Sequence, residues 1–160
     1  MENTQRCPTN SAEAFAYLDG LDGKVTIITG AAGGIGSRLT RAFLNEGAKV
    51  VAVDSSEAAL ARLVAELTEE GVTREQLMPL ETDISDSQAC ANCVKSTLDT
   101  FGTVHALVNN AGFAADLPWF PPPWPASAAR DTLAVNLFGA ERLTRALLPA
   151  ARSSARLGCP

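Results

Sequence analysis

The sequence is poor in the residues on which many catalytic and binding sites depend. It holds one histidine, one tyrosine and four cysteines in 160 residues, and its 13 Lys and Arg are outnumbered by 18 Asp and Glu. The net charge of −5 and the lack of a basic cluster argue against a nucleic-acid-binding surface. The longest apolar runs are as short as strands, so we expect no membrane-spanning helix, and residues 1–20 do not resemble a secretory signal. We therefore expect a cytoplasmic protein.

The cysteines offer one motif, the C-x-x-C pair of Cys90 and Cys93. Such a pair can be a redox couple or one half of a zinc site. A second pair of ligands is missing, however, and the single histidine, His105, lies in a predicted strand. The pair also falls inside a segment with helical spacing. We therefore expect both cysteines to be ordinary helix residues in a reducing compartment, and we expect no metal site.

Element types alternate along the chain from residue 24 onward. Short apolar runs rich in β-branched residues are typical of buried strands, and each run precedes a segment whose apolar residues recur at helical spacing. The predicted strands are residues 25–28, 50–53, 77–80 and 104–108, and the predicted helices begin near residues 35, 56, 86 and 127. Strands that alternate with helices of about 10–15 residues indicate parallel βαβ units. Right-handed crossovers place helices on both faces of the sheet, so the predicted fold is α/β, a three-layer Rossmann-type doubly wound parallel sheet.

The chain is long enough for one domain, which we predict at residues 21–148. Residues 1–20 are interpreted as a flexible N-terminal lead-in, and residues 149–160 as a C-terminal tail without an element. Residues 117–125 hold both tryptophans and five of the nine prolines. This segment is interpreted as a stiff connection into the last helix, with a proline-rich ligand segment and a wall of a substrate pocket as alternatives.

A glycine cluster, residues 29–36, lies between the first predicted strand and the first predicted helix. Its spacing is not the common G-x-G-x-x-G of dinucleotide-binding proteins, yet it meets the same physical requirement. Glycines let the backbone turn sharply and approach a diphosphate closely, and the helix N-terminus presents free N–H groups and the positive end of its dipole. The cluster therefore predicts a dinucleotide-binding turn.

Asp54 ends the second predicted strand. A carboxylate at this position can accept hydrogen bonds from the ribose hydroxyls of an adenosine, and it would repel a 2′-phosphate. This favours NAD over NADP as the cofactor. Asp54 could also be the N-cap of the second helix, and one residue can fill both roles.

Four motifs in this order resemble those of the short-chain dehydrogenase/reductase family. The T-G-x-x-x-G-x-G of the glycine cluster is followed by an Asp and an apolar residue after the third strand, by N-N-A-G after the fourth strand and by V-N-L within the fourth helix. The matching residues are Thr29, Gly30, Gly34, Gly36, Asp83, Ile84, Asn109, Asn110, Ala111, Gly112, Val135, Asn136 and Leu137. The resemblance covers about residues 21–148.

The resemblance implies a role for most of these residues. The cofactor-binding residues that it implies are Gly30, Gly34, Ile35 and Gly36 at the diphosphate, Asp54 at the ribose, Asp83 and Ile84 at the adenine, and Asn110, Ala111 and Gly112 along the cofactor. Asn136 matches the family's active-site Asn, which interrupts its helix locally and holds a water of a proton relay. The alternative for Asn136 is a buried polar helix residue with a local hydrogen bond.

The family's remaining catalytic residues have no match in this sequence. The family uses a Tyr as general acid and base, a Lys four residues later that lowers the pKa of the Tyr, and a Ser that holds the substrate oxygen. The single tyrosine, Tyr17, precedes the first strand, and no Tyr-x-x-x-Lys occurs. The family's fifth strand has no match either. The resemblance thus implies a domain truncated after about four strands and four helices, with an open edge at the fourth strand.

These observations predict an NAD(P)-dependent oxidoreductase that acts on an alcohol/carbonyl pair, with NAD as the cofactor and a small molecule as the substrate. The alternative is a non-catalytic cofactor-binding pseudoenzyme, or a fragment that binds a partner such as a full-length relative. Homo-oligomerisation stays open, and neither nucleic acid nor a membrane is an expected partner.

Overall fold

The computed structural model describes residues 20–114 and 126–154. The strands are β1 (Val25–Thr29), β2 (Lys49–Asp54), β3 (Leu77–Glu81) and β4 (Ala106–Val108). The helices are α1 (Gly36–Asn45), α2 (Glu57–Glu69), α3 (Ser87–Phe101), α4 (Ala126–Leu133), a π-helical segment (Ala134–Gly139) and α5 (Ala140–Ser154). The proline- and tryptophan-rich segment at 117–125, the lead-in up to residue 19 and the chain after residue 154 lie outside the described residues.

The four strands form one parallel sheet in the order β3-β2-β1-β4. The chain moves outward from β1 through β2 to β3 and then crosses back to place β4 on the other side of β1. All five residues of β1 are buried, as expected for a β-branched strand between two neighbours. This strand order confirms the predicted doubly wound α/β fold, and it places a topological switch point between β1 and β4, where such folds bind their ligands.

Two apolar clusters pack on opposite faces of the sheet, as alternate side chains of each strand require. On the face that carries α1 and α2, Ile28 and Val50 pack with Leu67. On the face that carries α3 and α5, Ile27 and Val51 pack with Leu143. Helices therefore cover both faces, which makes the three predicted layers.

The two cysteines of the C-x-x-C pair lie on α3 and face the second of these clusters. Cys90 is 1% exposed and Cys93 is 3% exposed, and both thiols are free. Burial raises the pKa of the Cys90 thiol, and it raises the pKa of Cys93 to about 11. Both cysteines therefore lie within a helix, as predicted, and their side chains are part of the core.

The last helix differs from the prediction in where it ends. It continues to Ser154, past the predicted end at residue 148 and through Pro149. It is also interrupted by the π-helical segment, in which Gly139 touches Ile84 so closely that a Cβ would lie 2.7 Å from Ile84 Cγ1. No helix among residues 20–114 and 126–154 combines the length and the apolar character that a bilayer crossing requires.

The β4 strand forms one edge of the sheet. It is three residues long and, among the described residues, pairs only with β1. His105, predicted as part of the strand, lies just before it and joins β4 to β1 through both its backbone and its ring. The His105 amide donates to the Val25 carbonyl oxygen at 2.8 Å, and Nδ1 of His105 accepts from the Val25 amide at 2.9 Å.

Candidate cofactor-binding cleft

A cleft of about 1010 Å³ opens at the carboxyl ends of the strands, beside the switch point between β1 and β4. Every residue that the sequence predicted to contact a cofactor lines this cleft. These residues are Gly30, Gly34, Ile35, Gly36, Asp54, Asp83, Ile84, Asn110, Ala111 and Gly112. Residues distant in the sequence thus converge on one surface, as the prediction requires.

The turn between β1 and α1 leaves three successive backbone N–H groups without a partner among the described residues. The N–H groups of Ala31 and Gly33 are bonded to the carbonyl oxygens of Val53 and Gly30, at 3.0 and 3.1 Å. No bond of this kind is found for the N–H groups of residues 34–36, which line the cleft at the start of α1. An anion such as a diphosphate would satisfy these donors and lie at the positive end of the helix dipole.

Two glycines of this turn are required by its geometry, for different reasons, and a third is not. Gly30 has φ of +63°, and a Cβ there would lie 2.8 Å from Ala111 Cα. A Cβ on Gly36 would lie 1.9 Å from the Gly30 carbonyl oxygen, so close packing of the turn excludes any side chain. A Cβ on Gly34, by contrast, would meet nothing within 4 Å. The turn is therefore open at Gly34, next to the unpartnered amides of residues 34–36.

Thr29 and Asn110 join the ends of β1 and β4 beneath the cleft. The Thr29 hydroxyl accepts from the Asn110 and Ala111 amides, both at 3.0 Å, and donates to the Val108 carbonyl oxygen at 3.3 Å. The Asn110 side chain donates to the carbonyl oxygens of Thr29 and Gly30, at 2.9 and 3.2 Å. These bonds fix the glycine turn against the loop that follows β4.

Asp54 lies half-buried at the end of β2, with both carboxylate oxygens bonded to backbone amides. Oδ2 accepts from the Ala32 amide at 3.0 Å, and Oδ1 accepts from the Ser56 amide at 3.1 Å. The N-cap of α2 is Ser56, whose side chain accepts from the Ala59 amide. The alternative that Asp54 is this N-cap is therefore wrong, because the cap lies two residues later and Asp54 holds the cap residue itself.

Asp83 and Ile84 form the wall of the cleft that follows β3. The Asp83 carboxylate accepts from the Ser85 amide at 2.8 Å, which fixes the loop that begins there. Ile84 is 6% exposed and packs into the core next to α3, where its carbonyl oxygen accepts from the Cys90 thiol. The position is apolar and rigid, as contact with a flat adenine ring would require.

Asn136 lies in the π-helical segment, at the border of the cleft. Its side chain accepts from the Phe113 amide at 2.7 Å and donates to the Phe113 carbonyl oxygen at 2.9 Å. The π-helical segment is the interruption of the helix that the resemblance implied. π-helical turns are frequent at functional sites. Asn136 is exposed rather than buried and its bonds are long-range, which contradicts the alternative of a buried residue with a local bond.

Three charged or aromatic residues of the cleft have no counterpart among the predicted ones: Arg38, Phe113 and Asp131. Arg38 is the one cationic side chain among the described residues that line the cleft, where it faces a lining with three carboxylates. Helical spacing from Ala134 and Val135 would have identified Asp131, and Phe113 directly follows the N-N-A-G motif. Arg38 carried no signal in the sequence, because its position on the outer side of α1 is typical of any solvated arginine.

No lysine in the described part of the chain lines the cleft. Lys49 lies over the ring of Phe101, and Lys95 pairs with Asp99 on the surface of α3. Tyr17 lies outside the described residues. Among the described residues, the cleft therefore combines the glycine turn with three carboxylates and Arg38, and Asn136 lies beside it, bonded to Phe113.

Comparisons with known proteins agree with this geometry. Residues 24–157 match the family described as short chain dehydrogenase. L-fucose dehydrogenase of Bos taurus is 35% identical over 140 residues, an alignment that covers 82% of this chain and 46% of that protein.

Two of the solved structures that have a similar fold hold a nicotinamide cofactor. The 3-ketoacyl-(acyl-carrier-protein) reductase of Brucella melitensis, complexed with NADH, has a TM-score of 0.72 at 31% identity, covering 87% of this chain and 55% of that one. A short chain dehydrogenase/reductase of Burkholderia phymatum, in complex with NAD, has a TM-score of 0.73 at 32% identity, covering 82% of this chain and 45% of that one. The chain spans about half the length of the relatives that it matches. It belongs to the short-chain dehydrogenase family of oxidoreductases.

Proposed function

We propose that the chain binds NAD in the cleft, with the diphosphate at the amides of residues 34–36 and the adenosine ribose at Asp54. The observation that carries this proposal is the set of three unpartnered amides in front of the open space at Gly34. The adenine would contact Asp83 and Ile84, and the nicotinamide half would extend along the loop at residues 110–112 towards Asn136. The NADH and NAD in the two similar solved structures support a nicotinamide cofactor.

NAD is preferred over NADP in this proposal because of Asp54. Its carboxylate would lie next to the 2′ position of the ribose, where a second negative charge would be repelled. Arg38 lines the same cleft and opposes this repulsion in part. We therefore expect a preference for NADH over NADPH rather than complete exclusion of NADPH.

The proposed reaction is the interconversion of an alcohol and a carbonyl compound on a small-molecule substrate. The bound nicotinamide supplies or accepts the hydride. The chain's own contribution is to orient the cofactor through the glycine turn and to hold the loop at Phe113 through the side chain of Asn136. By family resemblance, Asn136 also holds a water of the proton relay. The proposed location of this reaction is the cytoplasm.

A second candidate function is cofactor binding without catalysis, as a pseudoenzyme or as a partner of a full-length relative. One observation favours it: the 160 residues hold a single tyrosine and no Tyr-x-x-x-Lys. Hydride transfer in this family depends on a Tyr whose pKa lies well below its ordinary value of about 10. This sequence therefore holds the proposed cofactor site without a match to the Tyr and Lys of the family.

Calorimetric titration of the purified 160-residue chain with NADH and NADPH tests the shared part of both candidates. We expect saturable binding of NADH and weaker binding of NADPH. Turnover over a panel of carbonyl compounds then separates the two, since binding without turnover supports the second candidate. The absence of NADH binding would contradict both.

A further inference from the structure

The Asp54 carboxylate lies between two turns of the cleft, and this arrangement suggests a role beyond ribose binding. One oxygen bonds to the Ala32 amide in the glycine turn, and the other bonds to the Ser56 amide at the start of α2. Ala32 is separated from Asp54 by 22 positions in the sequence, so the first bond is a tertiary contact. The side chain thus connects the turn after β1 to the turn after β2.

The bond to Ala32 occupies a specific place in the hydrogen bonding of the glycine turn. The preceding amide, Ala31, is held by the carbonyl oxygen of Val53, and the following amide, Gly33, is held within the turn. Ala32 is the one amide of the turn whose acceptor is a charged side chain. Directly after this anchored stretch come the unpartnered amides of residues 34–36.

An ionised carboxylate has about four acceptor positions, of which the two backbone amides occupy two. The remaining positions suffice for the two hydroxyls of an adenosine ribose. The same carboxylate is also a negative charge beside a turn that would bind a diphosphate, which by Coulomb's law alone opposes binding. A structural role for the carboxylate in the turn explains why this cost is tolerated.

We infer that Asp54 is a positioning residue of the diphosphate turn. By bonding to the Ala32 amide, it orders the backbone that presents the amides of residues 34–36, and it does so before any cofactor binds. Ribose recognition and diphosphate recognition are therefore coupled through one side chain. The ligand part of this inference rests on the proposed function, whereas the ordering of the turn does not.

Amide hydrogen exchange of the full chain without cofactor tests the ordering directly. In Asp54→Ala we expect the Ala32 amide to exchange about tenfold faster or more, because a hydrogen bond to a charged acceptor is lost. Ser56→Ala is the matched control, since it removes a side-chain acceptor from the same loop and leaves the carboxylate in place. We expect Ala32 exchange in this control to equal that of the wild type.

Asp54→Asn covers the case in which Asp54→Ala does not fold. Its side chain has the same size but offers a single acceptor oxygen, so it can satisfy only one of the two amides. We expect at least one of the Ala32 and Ser56 amides to exchange faster than in the wild type. Wild-type exchange of both amides in Asp54→Asn, or of Ala32 in Asp54→Ala, overturns the inference.

Inorganic pyrophosphate, which has no ribose, tests the consequence for ligand binding. If Asp54 acts only as a ribose acceptor and a negative charge, its replacement by alanine should leave pyrophosphate binding unchanged or strengthen it. The positioning role predicts the opposite sign, a dissociation constant raised about threefold to tenfold by loss of preorganisation. Tighter or unchanged pyrophosphate binding in the folded variant contradicts the coupling.

The two proposals fail in different ways. A wild-type chain that binds neither NADH nor pyrophosphate contradicts the proposed function and the coupling, while faster Ala32 exchange in the Asp54 variants still supports the ordering of the turn. A wild-type chain that binds NADH, with Ala32 exchange insensitive to Asp54, upholds the proposed function and contradicts the positioning role.

Discussion

Two regions of the molecule differ in how many tertiary hydrogen bonds fix their backbone. The cleft side, defined as the turns after β1 and β2 at residues 29–36 and 53–56, is closed by tertiary hydrogen bonds from Asp54 and Asn110. The edge side, defined as β4 with the helix from Ala126 to Ser154, ends in a three-residue strand that pairs on one side among the described residues. Large apolar side chains on the edge side remain about half exposed: Leu133, Leu137, Phe138 and Leu148.

In the proposed function, cofactor binding and catalysis place separate demands on the chain. The groups proposed to hold NAD come from the ends of β1, β2, β3 and β4, and their backbone geometry is fixed by contacts within these 160 residues. Asn136 is the one predicted catalytic residue on the edge side, and its side chain is fixed by Phe113. We therefore expect the cleft side to tolerate few changes and the exposed part of the edge side to tolerate many.

The largest expected effect comes from a pair of glycines in the same turn. In Gly36→Ala the new Cβ would collide with the Gly30 carbonyl oxygen, so we expect the free energy of unfolding to fall by about 3 kcal/mol or more. In Gly34→Ala the Cβ meets no protein atom, so we expect stability within about 0.5 kcal/mol of the wild type. Urea denaturation measures both.

The same two variants distinguish an effect on stability from an effect on NADH affinity. Because the Gly34 Cβ would fill the space assigned to the diphosphate, we expect Gly34→Ala to weaken NADH binding about tenfold or more while the fold stays intact. Normal NADH affinity in Gly34→Ala would show that the diphosphate lies elsewhere.

Two leucines of the last helix compare its buried and exposed faces. Leu143 is fully buried, so Leu143→Ala should lower the free energy of unfolding by about 2–5 kcal/mol. Leu137 is 55% exposed, so Leu137→Ala should lower it by about 0.5 kcal/mol or less. Thermal or urea unfolding checks this contrast. Equal losses at the two sites would mean that the Leu137 face is covered in solution.

A smaller effect of opposite sign is expected in α1, which follows the glycine turn of the cleft side. The hydroxyl of Thr40 is buried in α1 and has no hydrogen-bond partner among the described residues. Thr40→Val has nearly the same shape and removes the unsatisfied group, so we expect stability to rise by about 1 kcal/mol. The control is Thr97→Val, where the hydroxyl donates to the Cys93 carbonyl oxygen and no gain is expected. A loss of stability in Thr40→Val would contradict this assignment.

The smallest expected effect comes from His105, which bonds to Val25 and so links β4 to β1. Burial, with a contribution from Lys24, lowers the pKa of His105 below its ordinary value of 6.5. The unfolded chain then takes up the proton first, so the stabilisation by neutral His105 is complete above about pH 6.5 and is lost as the pH falls through the lowered pKa. Protonation also removes the acceptor of the Val25 amide, a bond that contributes about 0.5–1.5 kcal/mol.

Urea denaturation of the wild type and His105→Asn at several pH values between about 7.5 and 5 checks this effect. The stability difference between the two should shrink as the pH falls. A stability difference that stays constant across this range would show that protonation of His105 does not destabilise the folded chain.

The sequence predicted the fold, the glycine turn and Asp54 from local signals, and the resemblance to the short-chain dehydrogenase/reductase family implied the rest of the cleft lining. The β-branched run at β1, the glycine turn and Asp54 each report on the residues around them, and parallel strands bring their ends to one edge without further information. The start of α2 near residue 56 was likewise predicted, and the Ser56 hydroxyl caps this helix by accepting from the Ala59 amide.

Other features depended on contacts that no local pattern reveals. The N-cap of α3 is Asp86, whose carboxylate accepts from the Gln88 amide, and the preceding Ser85 amide is bound by Asp83. Continuation of the last helix through Pro149 is another such feature. The bond from Ala32 to Asp54 spans two turns and appears only once the sheet has brought them together.

The most direct test of the account is a titration of the isotope-labelled chain with NADH, followed residue by residue through its amide NMR signals. We predict saturable shifts that are largest at Gly34, Ile35 and Gly36, with little change at Thr144 on the edge side. Shifts that do not saturate, or that are absent from the three glycine-turn amides, would contradict the claim that these 160 residues contain a complete cofactor-binding cleft.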